Sequence, residues 1–149
     1  MDALDRKILA VLQANARASL QEVGQAVGLS TSPCWERIRK LEQAGVIEGY
    51  TVRLNAQALG LNDTVMVQVT LDSHSDNTLE KFGETLAAIP EVIEAYLVSG
   101  EYDYLLRVTV KDTRDYERLL RERLYKIKGI RHSKSSFVLR TLKKADLPL

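Results

Sequence analysis

Two short runs in this sequence carry side chains whose types and spacing suit molecular recognition. The first is Ser30-Thr31-Ser32-Pro33-Cys34-Trp35-Glu36-Arg37-Ile38-Arg39-Lys40. At helical spacing Cys34, Ile38 and Leu41 form an apolar stripe, which leaves Thr31, Ser32, Trp35, Glu36 and Arg39 on the outer side, near the helix start. A guanidinium placed there can give two parallel hydrogen bonds to a guanine edge. The hydroxyls of Ser30, Thr31 and Ser32 can reach phosphates or bases, Trp35 can pack on a thymine methyl or a sugar, and Lys40 suits a phosphate. The competing reading is a solvated face braced by a Glu36 to Arg39 pair three residues apart. Arg37 falls between the two faces and suits structural pairing as well as phosphate contact. Cys34 reads as a small buried hydrophobe.

The second run is Ser99-Gly100-Glu101-Tyr102-Asp103-Tyr104. A free amino acid presents an ammonium and a carboxylate, so a receptor needs an acid for one and backbone amides or hydroxyls for the other. Glu101 or Asp103 could take the ammonium. The Gly100 region, with Ser135 or Ser136 further along, could take the carboxylate. The competing reading is a plain hairpin with an aspartate at a strand edge.

Nothing in the sequence suggests catalysis. His74 lies in a polar loop and His132 at a strand start, neither with a spaced partner for a metal or a nucleophile beside it, so no metal and no cofactor are expected. Cys34 is the single cysteine. No apolar run approaches the roughly 20 residues of a membrane span, and Met1-Asp2-Ala3-Leu4-Asp5 lacks the basic start of a signal peptide, so the expected compartment is the cytoplasm. With 45% hydrophobic and 28% charged residues the 149-residue chain should fold around a packed core. The net charge of +1 gives no global argument for nucleic acid. Any such footprint has to come from the local cluster at Arg37, Arg39 and Lys40.

The elements that must position these residues follow from periodicity and caps. Leu4, Ile8, Val11 and Leu12 mark a first helix, ending near Ala16-Arg17. Ser19 and Glu22 form a capping box for a second, which carries Leu20, Val23, Ala26 and Val27 and stops at Gly28. Ser32 and Pro33 suggest the cap and first helical residue of a third, stopped by Gly45. Residues 46–54 then read as a wing hairpin around Glu48-Gly49. After a connector, alternation of Val65, Val67, Val69 and Leu71 gives a strand. Asn77 with Glu80 should cap a helix bearing Leu79, Phe82, Leu86 and Ala87. Val92 to Val98 and Tyr102 to Val110 read as paired strands. Asp112 or Thr113 opens a helix carrying Tyr116, Leu119, Leu120, Leu124 and Ile127, and Ile130 to Leu142 supplies a last strand. The expected fold class is α+β: a winged helix-turn-helix over residues 1–54, a linker at 55–63, and a ferredoxin-like β-α-β-β-α-β domain over 64–149. Apolar and β-branched side chains on both sheet faces point to dimerisation through the sheet.

The run Leu29 to Ile47, followed in order by Ser99-Gly100-Glu101-Tyr102-Asp103-Tyr104-Leu105-Leu106, resembles the Lrp/AsnC (feast/famine) regulators. Leu4-Asp5-Arg6-Lys7-Ile8-Leu9 and Ser135-Ser136-Phe137-Val138-Leu139 fit as well. The resemblance implies a dimer that assembles further, often to an octamer, binds promoter sites in double-stranded DNA, and responds to an amino acid held near the sheet hairpin. Carried over, it puts effector contacts near Ser99, Gly100, Tyr102, Asp103 and Ser135 or Ser136. The sequence departs from some members in starting almost directly at the first helix. Two other classes compete: an amino-acid-binding subunit that controls an enzyme, and a DNA-packaging protein without effector control.

Overall fold

The computed structural model describes residues 1–73 and 76–148, without the side chains of 76–78. His74 and the cap expected at Asn77 therefore lie outside the described residues. The chain forms two compact units, residues 1–54 with 143–149, and residues 55–142.

The first unit contains α1 (Ala3–Ala14), α2 (Leu20–Val27) and α3 (Thr31–Gln43). The starts of α1 and α2 are set by side chains that accept from amides a helix leaves unpaired. Asp2 accepts from the Asp5 amide at 2.9 Å while Asp5 accepts from the Asp2 amide at 2.8 Å. Ser19 and Glu22 repeat that reciprocal box at α2. Ile8, Leu12, Val23, Cys34 and Ile38 close a small core, with Val11, Leu20, Val27 and Ile47 packed on its rim. Cys34 is fully buried, and burial pushes its thiol pKa up, as suits a packed hydrophobe. Ala26 is exposed and takes no part. The C-terminal segment joins this unit: the Leu147 carbonyl accepts from Gln13 Nε2 at 3.1 Å.

Two expectations for this unit are corrected. Ser30 rather than Ser32 is the cap residue of α3, with extended backbone and no side-chain cap bond, and Pro33 sits in the third helical position. Proline is tolerated there because the first-turn amides have no helical acceptor, and the helical bonds begin one residue later, where the Cys34 amide donates to the Ser30 carbonyl at 3.2 Å. The wing strands do not form: residues 46–54 run without strand pairing. The amides of Val46 and Ile47 both turn back to the Leu41 carbonyl, and Gly49 does not adopt the positive φ that a tight hairpin turn requires.

The second unit is built on one antiparallel sheet in the order β2-β3-β1-β4, from β1 (Asp63–Leu71), β2 (Val92–Leu97), β3 (Tyr104–Val110) and β4 (Ile130–Phe137). With α4 (Asp76–Ala87) and α5 (Thr113–Glu122) this is the ferredoxin-like order of elements. Alternation puts Val65, Val67, Val69 and Leu71 of β1 and Tyr104, Leu106, Val108 and Val110 of β3 against Phe82, Leu86, Tyr116 and Leu119 of the helices. Ala87 is exposed, and Ile89 fills the core in its place. The helix expected to reach Ile127 breaks at Arg123, and a short 3-10 turn at Leu124–Lys126 keeps Leu124 buried. β4 stops five residues short of Leu142. Phe137 pairs with Val65 near the start of β1, and beyond the bond from the Val138 amide to the Thr64 carbonyl no strand remains to pair with.

Candidate nucleic-acid interface and hairpin site

The turn between α2 and α3 fixes how α3 is presented. Gly28 sits in the left-handed region at φ 76° and ends α2, while the Leu29 amide returns to the Gly24 carbonyl at 2.8 Å. The chain then passes so close to α2 that a Cβ added at Gly24 would lie 2.6 Å from the Leu29 carbonyl oxygen. Gly24 is thus a requirement of the turn, a role its position in mid-helix did not signal.

On α3 the buried stripe is Cys34, Ile38 and Leu41, as the spacing requires. Thr31, Ser32, Trp35, Glu36, Arg39 and Lys40 are all exposed, together with Ser30 at the cap. The Arg39 guanidinium carbon lies 5.2 Å from the centre of the Trp35 ring, a cation–π contact. The Glu36 to Arg39 pair of the competing reading is absent among the described residues. Trp35 borders two adjoining clefts: one of about 510 Å³ shared with Leu20, Ile38, Arg39, Glu42 and Tyr50, and one of about 360 Å³ shared with Leu20, Thr31, Ser32 and Glu36. Tyr50 donates to Glu42 Oε1 at 2.8 Å, and burial followed by this acidic partner pushes the phenol up to about 12.

Arg37 resolves to the structural role. Its Nη1 lies 2.7 Å from Asp2 and 2.7 Å from Asp5, tying the middle of α3 to the start of α1. Backbone amides and this guanidinium hold both carboxyls below the ordinary carboxylate value.

In the second unit Ser99, Gly100 and Glu101 are exposed in the β2–β3 loop, and Gly100 takes φ 121°, a conformation that favours glycine. Tyr102 and Asp103 are half-buried. Asp103 is bound into the sheet end: its carboxylate accepts from the Leu71 amide at 2.7 Å, its amide donates to the Val69 carbonyl and its carbonyl accepts from the Val98 amide. The strand expected from Tyr102 therefore starts at Tyr104, although Asp103 already pairs. Ser135 and Ser136 fall on opposite sheet faces, since Ser135 pairs with buried Val67 and Ser136 with Met66. The Ser135 hydroxyl lies 2.5 Å from the Tyr116 hydroxyl. Because β1 runs between β3 and β4, one chain does not set Ser135 or Ser136 beside the hairpin.

Residues 1–42 match the AsnC-type helix-turn-helix domain, and residues 64–148 match the Lrp/AsnC ligand binding domain. The chain belongs to the Lrp/AsnC family. Leucine-responsive regulatory proteins of Klebsiella pneumoniae and Escherichia coli are 38% identical over 146 residues, covering 98% of this chain and 89% of theirs. A crystal structure of an AsnC family transcriptional regulator from Agrobacterium tumefaciens superposes with a TM-score of 0.94 at 40% identity, covering 99% of this chain and 97% of that one. A Neisseria meningitidis transcriptional regulator in complex with L-Met superposes with a TM-score of 0.93 at 32% identity, covering 99% and 96%. The chain thus carries the helix-turn-helix and the ligand-binding domain of this family of transcription regulators.

Several contacts of this Lrp/AsnC chain were not foreseen from sequence. Arg107 pairs with Glu94 across the β2–β3 hairpin, and Arg118 bridges Asp115 at 2.8 Å and Glu91 at 3.1 Å. The first becomes legible only once the strand register sets Glu94 opposite Arg107. The Arg118 to Glu91 pair joins residues 27 positions apart, for which no local signal exists.

Proposed function

We propose that this chain is a cytoplasmic transcriptional regulator that reads promoter sites in double-stranded DNA and answers to an amino acid or related metabolite. The DNA-binding residues are Ser30, Thr31, Ser32, Trp35, Glu36 and Arg39 on the outer face of α3, with Lys40 on phosphate. The effector lies at the β2–β3 hairpin, against Ser99, Gly100, Glu101, Tyr102 and Asp103, and Ser135 or Ser136 comes from another copy. The assembly is a homodimer that builds to an octamer. The observation that carries the DNA reading is the outer face of α3. There Arg39 keeps every guanidinium edge out of protein hydrogen bonds and ion pairs among the described residues, beside exposed hydroxyls and an exposed indole. A surface arginine without a carboxylate partner, on the second helix of a helix-turn-helix, is placed as a base-reading group has to be. The relatives named for leucine and the relative solved with L-Met support an amino acid as the effector.

The test is selection of duplexes from a random library by the intact protein, followed by binding of the enriched sequence with and without each of the twenty amino acids. Arg39→Ala should weaken the enriched sequence more than random DNA, and Lys40→Ala should weaken both alike. A protein that enriches no sequence, or one whose DNA affinity, size and melting temperature ignore every amino acid, refutes the corresponding half of the proposal.

A further inference from the structure

On the reading face of α3 the Arg39 guanidinium meets an aromatic ring and not a carboxylate, and the interpretation of that contact rests on the DNA-reading role proposed above. Glu36 has Arg39 three residues on and Lys40 four residues on, the two positions at which an acid and a base on a helix normally meet. On α5 such positions are filled: Asp115 meets Arg118 at 2.8 Å, Glu117 meets Arg121 at 3.1 Å and Arg118 meets Glu122 at 3.5 Å. On α3 they are not, and Glu36 has no hydrogen bond or ion pair among the described residues. What differs is Trp35. Its ring lies 5.2 Å from the Arg39 guanidinium carbon, and Trp35 lines both clefts, with Arg39 lining one and Glu36 the other.

We propose that Trp35 is a positioning residue whose ring holds Arg39 apart from Glu36, so that the two opposite charges reach DNA separately, Arg39 as a donor to guanine and Glu36 as an acceptor from cytosine. The physics favours this division. Stacking occupies the flat face of a guanidinium and leaves its in-plane N–H groups available, whereas a carboxylate pair would consume them. A lone carboxylate facing a phosphate-lined groove is repelled unless it accepts a hydrogen bond, and the cytosine N4 amino group is the matching donor in the major groove. The specificity expected is for sites with a guanine under Arg39 and a cytosine at a separate position under Glu36.

The experiment uses the intact protein and the duplex it enriches from a random library, with discrimination measured at each base pair by competition. Arg39→Ala should lose between about fivefold and a hundredfold of preference at one guanine. Trp35→Leu, which keeps an apolar side chain but no ring, should lose roughly two- to fivefold at that same guanine. The Trp35→Leu/Arg39→Ala double variant should be no worse there than Arg39→Ala alone. Trp35→Phe should retain most of the preference. Trp35→Leu/Glu36→Gln should recover it, because no carboxylate remains to capture Arg39. Glu36→Gln alone should relax preference at a different, cytosine-bearing pair. Additive losses in the double variant, or no recovery with Glu36→Gln, overturn the positioning role. So does an effect of Trp35→Leu that vanishes when one thymine is replaced by deoxyuridine, because the indole then reads a methyl group directly. A Glu36→Gln protein that binds all duplexes more tightly by one factor overturns the cytosine contact. Failure to enrich any sequence overturns the reading role and this arrangement together, whereas enrichment with additive variants overturns the arrangement alone.

Discussion

Asp103→Asn separates the two things a carboxylate at the end of β3 can do. The carboxylate accepts from the Leu71 amide at 2.7 Å, and Leu71 is only 1% exposed, so water has little access to that amide if its partner is lost. A hydrogen bond to a charged group contributes about 1.5 to 3 kcal/mol and a neutral one about 0.5 to 1.5. Replacement by asparagine, which keeps an acceptor oxygen at similar reach, should therefore cost about 1 kcal/mol. Asp103→Ala strands the amide and should cost about 1 to 3 kcal/mol. For a domain of this size 1 kcal/mol moves the melting temperature by roughly 4 to 8 °C. Asp103→Asn should thus melt a few degrees low and Asp103→Ala as much or lower. Under the proposed sensing role the same carboxylate also meets the effector's ammonium, and neutralising one partner of a desolvated charge pair costs about 2 to 5 kcal/mol. The assay pairs melting curves with calorimetric titration of the amino acid that most raises the wild-type melting temperature. The expected result is a small stability loss with an affinity loss of about thirtyfold or more in Asp103→Asn. A wild-type melting temperature in Asp103→Ala would refute the structural reasoning. A normal affinity in folded Asp103→Asn would remove this residue from the effector site and leave Glu101 as the acid.

Gly24→Ala should unfold or loosen the helix-turn-helix, costing about 1 to 3 kcal/mol by overpacking, because its Cβ would meet the Leu29 carbonyl at 2.6 Å; a wild-type melt with intact DNA binding would contradict the turn geometry. The Asp2 and Asp5 pKa values lie below the ordinary 3.8 in the folded protein. Their pairs with Arg37 therefore stabilise fully above about pH 4 and are lost as the pH falls below it. Melting curves between pH 5 and pH 2.5 should show part of this acid loss missing in Arg37→Ala, and identical acid profiles would count against the tie. The open sheet face carries Leu105 beside Tyr96 of the neighbouring strand, so Leu105→Lys should shift the sedimenting species towards monomer if that face is covered by a second copy. An unchanged oligomer would place the contact elsewhere.

Local physical rules were enough to read most of the elements and the candidate face of α3 from sequence. The capping box at Ser19 and Glu22, the left-handed stop at Gly28 and the period-two alternation of β1 depend on neighbours within a few residues, and each stands in the structure where the sequence puts it. The Cys34, Ile38 and Leu41 stripe likewise fixed which side of α3 faces outward. Sequence also carried both motifs of the Lrp/AsnC resemblance, in order. It misplaced features that depend on partners distant along the chain. The wing strands failed because a strand needs a mate, and the helix-end carbonyl of Leu41 captured the amides of Val46 and Ile47 first. β4 ended where β1 begins, a limit visible only once the register is known. Glu36 and Arg39 have the spacing of an ion pair, yet the guanidinium lies over the Trp35 ring. Asp103 had the chemistry of a ligand contact, and the Leu71 amide, 32 residues back, already claims part of it. Spacing along a helix or strand tells which side chains can meet, but tertiary packing decides which of the available partners each polar group takes, because a polar group taken out of water is costly unless the fold brings it a partner.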